Sequence, residues 1–183
     1  MAIEKYSTEG ILVQSYENAE SDVVFKIYTR DYGMIFARQV SLKKSVKLRQ
    51  HLQVGRVSVV TLVKGKDQYR LAGATEVYIA GNFLHYIVGL LGRFITGEAK
   101  NLKLYDRLIE YSKLDSNQYD LQDLRLCVMS DILIQGGYID TNMIGLSLED
   151  YKNNDTLYYY THVILNKKQI ILQVNKAIKE SML

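Results

Sequence analysis

Hydrophobic and polar residues alternate over the first eighty residues, and this alternation predicts strands. In Asp22–Thr29, alternate side chains fall on opposite faces: Val23, Phe25 and Ile27 on one, and Val24, Lys26 and Tyr28 on the other. Further strands are predicted at Gly10–Tyr16, Gly33–Val40, Arg56–Val63 and Gln68–Ile79. Arg30–Gly33 supplies turn chemistry, so residues 22–40 form a predicted hairpin. Five strands in about seventy residues predict a small closed barrel or a sandwich.

The period changes after Gly81, where apolar residues recur at helical spacing from Phe83 to Phe94. Further helices are predicted at Leu102–Leu114, Asp120–Gln135, Asp155–Leu165 and Lys167–Met182, with a polar connection at Asp150–Asp155. Gly136-Gly137 ends the third of these helices, as a C-terminal glycine cap does. The predicted fold class is therefore α+β, with a β-barrel-like domain in residues 1–80 and an all-helical domain in residues 81–183.

Positive charge is concentrated in Arg38–Lys66, although the net charge of the 183-residue chain is only +3. The segment contains no Asp or Glu, and its eight basic residues are Arg38, Lys43, Lys44, Lys47, Arg49, Arg56, Lys64 and Lys66. Its middle falls between the third and fourth predicted strands. A concentrated basic surface on a small β domain indicates a polyanionic partner, most often nucleic acid.

The chain lacks the residue patterns of common enzyme and metal sites. Cys127 is its single cysteine, so neither an internal disulfide nor a cysteine-rich zinc site can form, and its apolar surroundings predict a core thiol. There is no HExxH, CxxC or Gly-x-Ser-x-Gly motif. Gly65-Lys66 does not make a phosphate loop, because Val60 stands where the first glycine is needed and Asp67 replaces the magnesium-holding Ser or Thr. These patterns predict a protein that is not an enzyme and has no cofactor.

The N-terminal residues lack the apolar core of a signal peptide. The longest apolar stretch, Phe83–Ile95, is interrupted by His85, Gly89, Gly92 and Arg93, and it is shorter than the ~20 residues that span a bilayer. We therefore expect a soluble cytoplasmic protein that does not bind membranes.

Several short motifs, taken in order, resemble one family along nearly the whole chain. In the strand region they are Thr8-Glu9-Gly10-Ile11, Thr29-Arg30-Asp31-Tyr32-Gly33, Lys43-Lys44-Ser45 and Ala74-Thr75-Glu76-Val77. In the helical region they are Leu124-Arg125-Leu126, Ile132-Leu133, Gly136-Gly137-Tyr138 and the final helix, which ends Ile178-Lys179-Glu180-Ser181. In this order and spacing the chain resembles the bacterial DNA repair and recombination mediator RecO family. Many members carry a four-cysteine zinc site where this chain has Asp140–Thr156 and no cysteine, so it resembles a short, zinc-less member.

The resemblance implies that residues 1–80 form a five-stranded OB-type β-barrel that binds nucleic acid. It implies a non-enzymatic mediator that binds single- and double-stranded DNA, anneals strands and works in the cytoplasm at the nucleoid. It also implies two protein partners: the acidic tail of single-strand-binding protein, and a RecR-type protein with which recombinase is loaded onto coated single strands. Arg93 and Arg125 are the candidate basic contacts for the tail.

The candidate DNA contacts lie in the basic segment. Lys43, Lys44, Lys47 and Arg49 would neutralise phosphates, Arg38 and Arg56 would extend the track on the flanking strands, and Tyr28 or Tyr69 would stack on bases. The alternative is that the segment is a solvated helix face that closes the barrel, with its charges serving solubility. Two other functions stay open at this point: a non-catalytic protein-interaction module and an RNA-binding OB protein.

Overall fold

The fold is taken from a computed structural model, which describes residues 4–17, 22–39, 50–65, 68–79, 83–114 and 118–181. The chain divides into two compact units, Met1–Leu102 and Lys103–Leu183. We call them the strand unit and the helical unit. The change of period near Gly81 marks the start of a helix that belongs to the strand unit, and the division between the units follows Leu102.

The strand unit holds five strands in its described part: β1 (Lys5–Glu17), β2 (Val23–Thr29), β3 (Gly33–Gln39), β4 (Arg56–Lys64) and β5 (Tyr69–Ile79). All five were predicted, and β1 begins earlier than expected. A register shift between Leu12 and Gln14 interrupts the alternation of β1, and the part of β1 that was missed, residues 5–9, is mostly polar.

The five strands pair in a closed order, β1-β2-β3-β5-β4 and back to β1. Four of the five pairings are antiparallel, and β3 with β5 is parallel. The parallel ladder is the shortest, with the Cα partners Ala37↔Tyr69 and Arg38↔Arg70.

The core of the strand unit is built from alternate residues of these strands. Its buried members are Leu12, Val23, Phe25, Ile27, Ile35, Ala37, Leu52, Val60, Leu62 and Leu71. Leu52 reaches this core from the connection between β3 and β4. Burial of one face fixes the register of each strand, because a shift of one residue would turn these side chains toward water.

The β2–β3 turn has the geometry that the sequence predicts. Gly33 has a φ of 69°, and a Cβ atom built on it would lie 2.5 Å from the carbonyl oxygen of Ala99. The Thr29 hydroxyl donates to the Gly33 carbonyl oxygen at 2.9 Å and accepts from the Tyr32 amide at 3.1 Å. Glycine is therefore required at position 33 by both conformation and space.

The helices of the described residues are α1 (Phe83–Phe94), α2 (Leu102–Lys113), α3 (Leu121–Gln135), α4 (Leu148–Asn153), α5 (Thr156–Leu165) and α6 (Lys167–Glu180), with a 3₁₀ turn at Thr141–Ile144. Asp120 caps α3 by accepting from the amides of Gln122 and Asp123. Gly137, with a φ of 78°, follows the end of α3, which confirms the predicted glycine stop.

Helix α4 corrects the prediction of a polar connection at Asp150–Asp155. Ser147 caps this short helix, because its hydroxyl accepts from the Asp150 amide at 2.9 Å. Tyr151 is the buried residue of this helix. Because a helical period needs several apolar positions, the sequence of this segment does not indicate a helix. Across the described part of the chain, no helix combines the length and the apolar character needed to span a membrane.

Candidate nucleic-acid interface

The outer face of β1, β2 and β3 is the part of the strand unit best suited to a ligand. Because Val23, Phe25, Ile27, Ile35 and Ala37 point into the core, the residues between them point outward. On β2 these are Val24, Lys26 and Tyr28, and on β3 they are Met34, Phe36 and Arg38.

One end of this outer face is covered. The Met34 amide donates to the carbonyl oxygen of Gly97 at 3.0 Å, so the chain after α1 lies along the edge of β3 at this end. Lys26 donates from Nζ to the carbonyl oxygen of Gly92, near the end of α1, at 2.9 Å. Tyr28 is only 1% exposed. The structure therefore contradicts the prediction that Tyr28 stacks on bases, because its ring offers no free face.

The other end of the outer face carries two exposed aromatic rings. Tyr16 on β1 is 41% exposed and Phe36 on β3 is 47% exposed. In the register, Tyr16 pairs with Val24, which pairs in turn with Arg38. Single exposed apolar side chains are common on protein surfaces, but two aromatic rings beside cations on one sheet face form a surface on which bases can stack.

Two arginines meet on this face where β3 joins β5. Arg38 and Arg70 are Cα partners in the parallel ladder, and both side chains reach solvent. Arg38 donates from Nε to Oδ2 of Asp22 at 2.8 Å, and its Nη2 contacts the same oxygen. Within the described residues, Arg70 has no such carboxylate partner. On this face, the charge of Arg38 is therefore balanced by Asp22, whereas the charge of Arg70 is not balanced by a carboxylate of the described residues.

We call the exposed end of this face the outer platform, defined by Tyr16, Phe36, Arg38 and Arg70. Lys26 lies beside Phe36, since the two are Cα partners. The strand ends Glu17, Val23 and Gln39 lie at the same end of the sheet, so the chain leaves β3 beside the outer platform on its way to the basic segment. Lys43, Lys44, Lys47 and Arg49 lie outside the described residues.

Arg56, at the start of β4, makes two contacts within the protein. Its Nη1 donates to the carbonyl oxygen of Gln50 at 3.0 Å and also pairs with Glu76 on β5. Its charge is therefore offset in the folded chain, as that of Arg38 is. Contact of either arginine with DNA stays a prediction.

The two arginines predicted to bind a partner belong to different units. Arg93 is exposed in the last turn of α1, with its guanidinium carbon 5.1 Å from the ring centre of Phe94. Arg125 is exposed on α3 in the helical unit. Both are accessible, but the division of the chain shows that they do not share one compact unit.

Tyr69 belongs to a cluster of three half-buried tyrosines packed against the core. The ring centres of Tyr6 and Tyr32 are 5.9 Å apart, and those of Tyr32 and Tyr69 are 6.2 Å apart. A hydrogen bond with Glu4 raises the pKa of Tyr6 to about 12, and burial raises the pKa of Tyr69. Tyr6 and Tyr69 therefore stay protonated at neutral pH, and the three rings close this part of the core.

The helical unit contains a buried ion pair that holds several helices together. Nη1 of Arg107 on α2 donates to Oδ1 of Asp131 on α3 at 3.1 Å, and Nη2 donates to the carbonyl oxygen of Tyr151 on α4 at 2.9 Å. The guanidinium carbon of Arg107 lies 4.6 Å from the ring centre of Tyr151 and 4.9 Å from that of Tyr159 on α5. Burial raises the pKa of Asp131 and that of Tyr159. The cluster is enclosed, which fits a structural part and not a catalytic one.

Sequence reasoning identified Arg38 but missed Tyr16, Phe36 and Arg70. Phe36 could have been found, because Ile35 and Ala37 alternate with it and turn it away from the core. That Arg38 and Arg70 are neighbours could not have been found from the sequence, because the parallel pairing of β3 with β5 joins residues far apart in the chain.

Within the described residues, no group of three or more histidine, cysteine or carboxylate side chains is placed to hold a metal ion. No protein-family model matches the chain, and a search of curated proteins finds no significant match. The geometry of the outer platform is thus the principal guide to function.

Proposed function

We propose that the chain is a DNA-binding recombination mediator of the RecO type, with an OB-type barrel as its strand unit. The closed strand order β1-β2-β3-β5-β4, with one parallel pairing, supports the barrel. OB barrels bind nucleic acid on the face of strands two and three, and β3 supplies two of the four residues of the outer platform here, with Lys26 of β2 beside Phe36. The observation that carries the proposal is the exposure of Tyr16 and Phe36 on this face, beside Arg38 and Arg70.

Binding of a single strand needs two kinds of contact, stacking on bases and neutralisation of phosphates. The outer platform would supply the first and the basic segment Arg38–Lys66 the second. Exposed rings stack on bases without regard to sequence, at about 1–3 kcal/mol for each base. Lysines and arginines neutralise phosphates and release counterions, so that affinity falls as salt rises. Lys43, Lys44, Lys47 and Arg49 follow β3 in the chain and would supply this second part. Duplex DNA would be held by the same cations through its backbone, and strand annealing would follow from holding one strand while its bases remain accessible.

A salt titration tests this function. Fluorescence anisotropy with a labelled single-stranded oligonucleotide should show binding that weakens steeply between about 50 and about 200 mM salt. Changing Lys43, Lys44, Lys47 and Arg49 to Ala should reduce the slope of log K against log salt by about 3, since each phosphate contact on a single strand contributes about 0.7.

A matched control removes four exposed lysines of the helical unit: Lys152, Lys168, Lys176 and Lys179. It changes the net charge by the same amount and should leave the slope unchanged. Equal effects of the two quadruple variants, or weak binding that ignores salt, would refute the proposed DNA site. Tighter binding of an RNA oligonucleotide of the same sequence would favour the RNA-binding alternative.

The proposed protein partners are a RecR-type protein and the acidic tail of single-strand-binding protein, which the helical unit would bind. Support for the tail comes from the corner between α5 and α6, where Leu165 and Leu172 are exposed and Lys168 lies between them. Apolar side chains beside a cation suit an acidic peptide with an apolar end. Arg125 remains the candidate basic contact within the helical unit, and Arg93, which belongs to the strand unit, remains a candidate contact outside it. Titration with a labelled tail peptide should show weaker binding for Arg125→Ala, and an unchanged affinity would exclude Arg125 from the site.

A further inference from the structure

A cleft in the helical unit lies between the end of α2 and the start of α5, with a volume of about 440 Å³. Its walls are the apolar side chains of Leu114 and Leu157 and the rings of Tyr119 and Tyr160, whose centres are 5.2 Å apart. Leu157 is 56% exposed, so the cleft opens to solvent. Small-molecule sites enclose most of their ligand, and an open cleft suits a side chain of a partner protein better.

Two carboxylates stand at the rim of this cleft, Glu110 on α2 and Asp155 at the start of α5. The Thr156 hydroxyl donates to Oε2 of Glu110, and Oδ1 of Asp155 accepts from the Tyr158 amide at 2.8 Å. In the described part of the chain, neither carboxylate forms an ion pair, and Oε1 of Glu110 and Oδ2 of Asp155 receive no hydrogen bond. Each carboxylate is thus held by one oxygen and offers the other to a ligand.

The charges of the cleft favour a cation. Glu110 and Asp155 share the rim with one ammonium group, that of Lys113. Lys103 attracts both carboxylates from outside the cleft, where its Nζ donates to the carbonyl oxygen of Asn154 at 3.0 Å. The positive end of the α5 dipole is already matched by Asp155, which caps this helix. The faces of the tyrosine rings also attract cations.

An arginine side chain has the properties that such a cleft recognises. Its guanidinium is planar, stacks on aromatic rings and donates hydrogen bonds to carboxylates in a fixed fork. Its aliphatic stem can cover the apolar walls at Leu114 and Leu157. Lysine has the charge of arginine but neither its plane nor its fork.

We propose that this cleft binds an arginine of a partner protein, with Glu110 and Asp155 as its acceptors and Tyr119 and Tyr160 as its aromatic wall. In the partner, an aromatic or large aliphatic residue lies next to this arginine and packs on Leu157. The inference goes beyond the proposed function, because the acidic tail proposed above carries the opposite charge and is assigned to the corner between α5 and α6.

The test titrates the isotope-labelled 183-residue chain with N-acetyl-Phe-Arg-amide and follows the backbone amides by NMR. The comparison peptide carries citrulline in place of arginine, which keeps the shape of the side chain and removes its charge. Amides of the cleft, such as those of Lys113, Leu157 and Tyr160, should shift and saturate. The arginine peptide should bind about tenfold more tightly than the citrulline peptide.

Glu110→Gln with Asp155→Asn removes both charges and keeps the internal hydrogen bonds, because Gln can accept from Thr156 and Asn is as good an N-cap as Asp. This double variant should bind the arginine peptide about tenfold more weakly and should not distinguish it from the citrulline peptide. The matched control is Asp140→Asn with Glu149→Gln, which changes one capping Asp and one exposed Glu of the same unit. It should bind as the wild type does.

Equal affinities of the wild type for the two peptides would overturn the inference, since charge would then not determine binding. Shifts that do not saturate by about 10 mM peptide, which excludes even millimolar affinity, would overturn it as well, and so would saturating shifts confined to residues outside the cleft. Tighter binding of N-acetyl-Phe-Glu-amide would overturn it in favour of an acidic partner. These measurements contain no DNA, so their failure leaves the proposed function to be decided by the salt titration.

Discussion

Replacing Arg107 with Met removes the cation from the most enclosed ion pair of the helical unit. Asp131 is fully buried and receives hydrogen bonds from Arg107 and from the Tyr151 hydroxyl. Breaking a buried pair by removing one partner typically costs about 3–5 kcal/mol. Arg107→Met also loses the donation to the Tyr151 carbonyl oxygen and the contacts with two tyrosine rings. We therefore expect the free energy of unfolding at neutral pH to fall by about 3–5 kcal/mol.

The same substitution should give a deficit that depends on pH. Burial raises the pKa of Asp131 in the folded protein, while Arg107 lowers it. Without Arg107 this pKa rises further. The Asp131 carboxyl of the folded variant then stays protonated to a higher pH than in the unfolded chain, where the pKa of Asp is about 3.9. For an acid with a raised folded pKa, stability is present below the unfolded pKa and is lost as pH rises toward the folded pKa. The deficit of Arg107→Met should thus be larger at pH 8 than at pH 5, by up to about 1.4 kcal/mol for each unit by which the folded pKa of Asp131 rises.

Urea unfolding followed by circular dichroism at about pH 5 and about pH 8 measures both quantities. The matched control is Lys176→Met, which removes a cation from an exposed pair 3.9 Å from Glu180 and should change stability by less than about 0.5 kcal/mol. A deficit below about 1 kcal/mol for Arg107→Met, or one that is equal at the two pH values, would refute the reasoning that Asp131 depends on Arg107.

Two further predictions concern other groups. Phe36→Ala should weaken binding of a single-stranded oligonucleotide about tenfold without altering the salt slope. The control Val77→Ala shortens another exposed apolar residue of the strand unit and should bind normally. Equal affinities of the two variants would remove Phe36 from the interface. Burial raises the pKa of the Cys127 thiol, so a thiol reagent at pH 8 should modify Cys127 only on unfolding, at a rate that Arg107→Met increases. Rapid labelling of the folded wild-type protein would show that this thiol is accessible.

The sequence predicted the strands well because one face of each is buried. Val23, Phe25 and Ile27 alternate with more polar neighbours, and burial of this face leaves one possible register. Helix α3 was predicted from apolar residues at helical spacing, among them Leu124, Val128 and Ile132, and from its glycine stop. Helix α4 escaped prediction, because a helix of six residues with a Ser147 cap needs no apolar period.

The candidate site was less visible, because its chemistry depends on pairs that only the fold brings together. From the sequence, Arg38 is an unpaired cation in an acid-free segment, yet its partner Asp22 lies outside that segment, directly before β2. Arg56 is offset in the same way by Glu76. A count of charges along the chain therefore overstates the positive charge that the strand unit presents.

The parallel ladder between β3 and β5 has a consequence for the order in which the strand unit folds. The hairpin of β2 and β3 and the hairpin of β4 and β5 join neighbouring segments, whereas the β3–β5 contact must bring together Arg38 and Arg70 across the connection that contains β4. Contacts between distant residues form late, because the entropy of closing the intervening loop is lost before they stabilise the chain. We therefore expect the ring to close late in folding, after the two hairpins have formed. Because the β3–β5 ladder is the shortest of the five, we expect the ring to open there first, and each such opening would separate the two arginines of the outer platform.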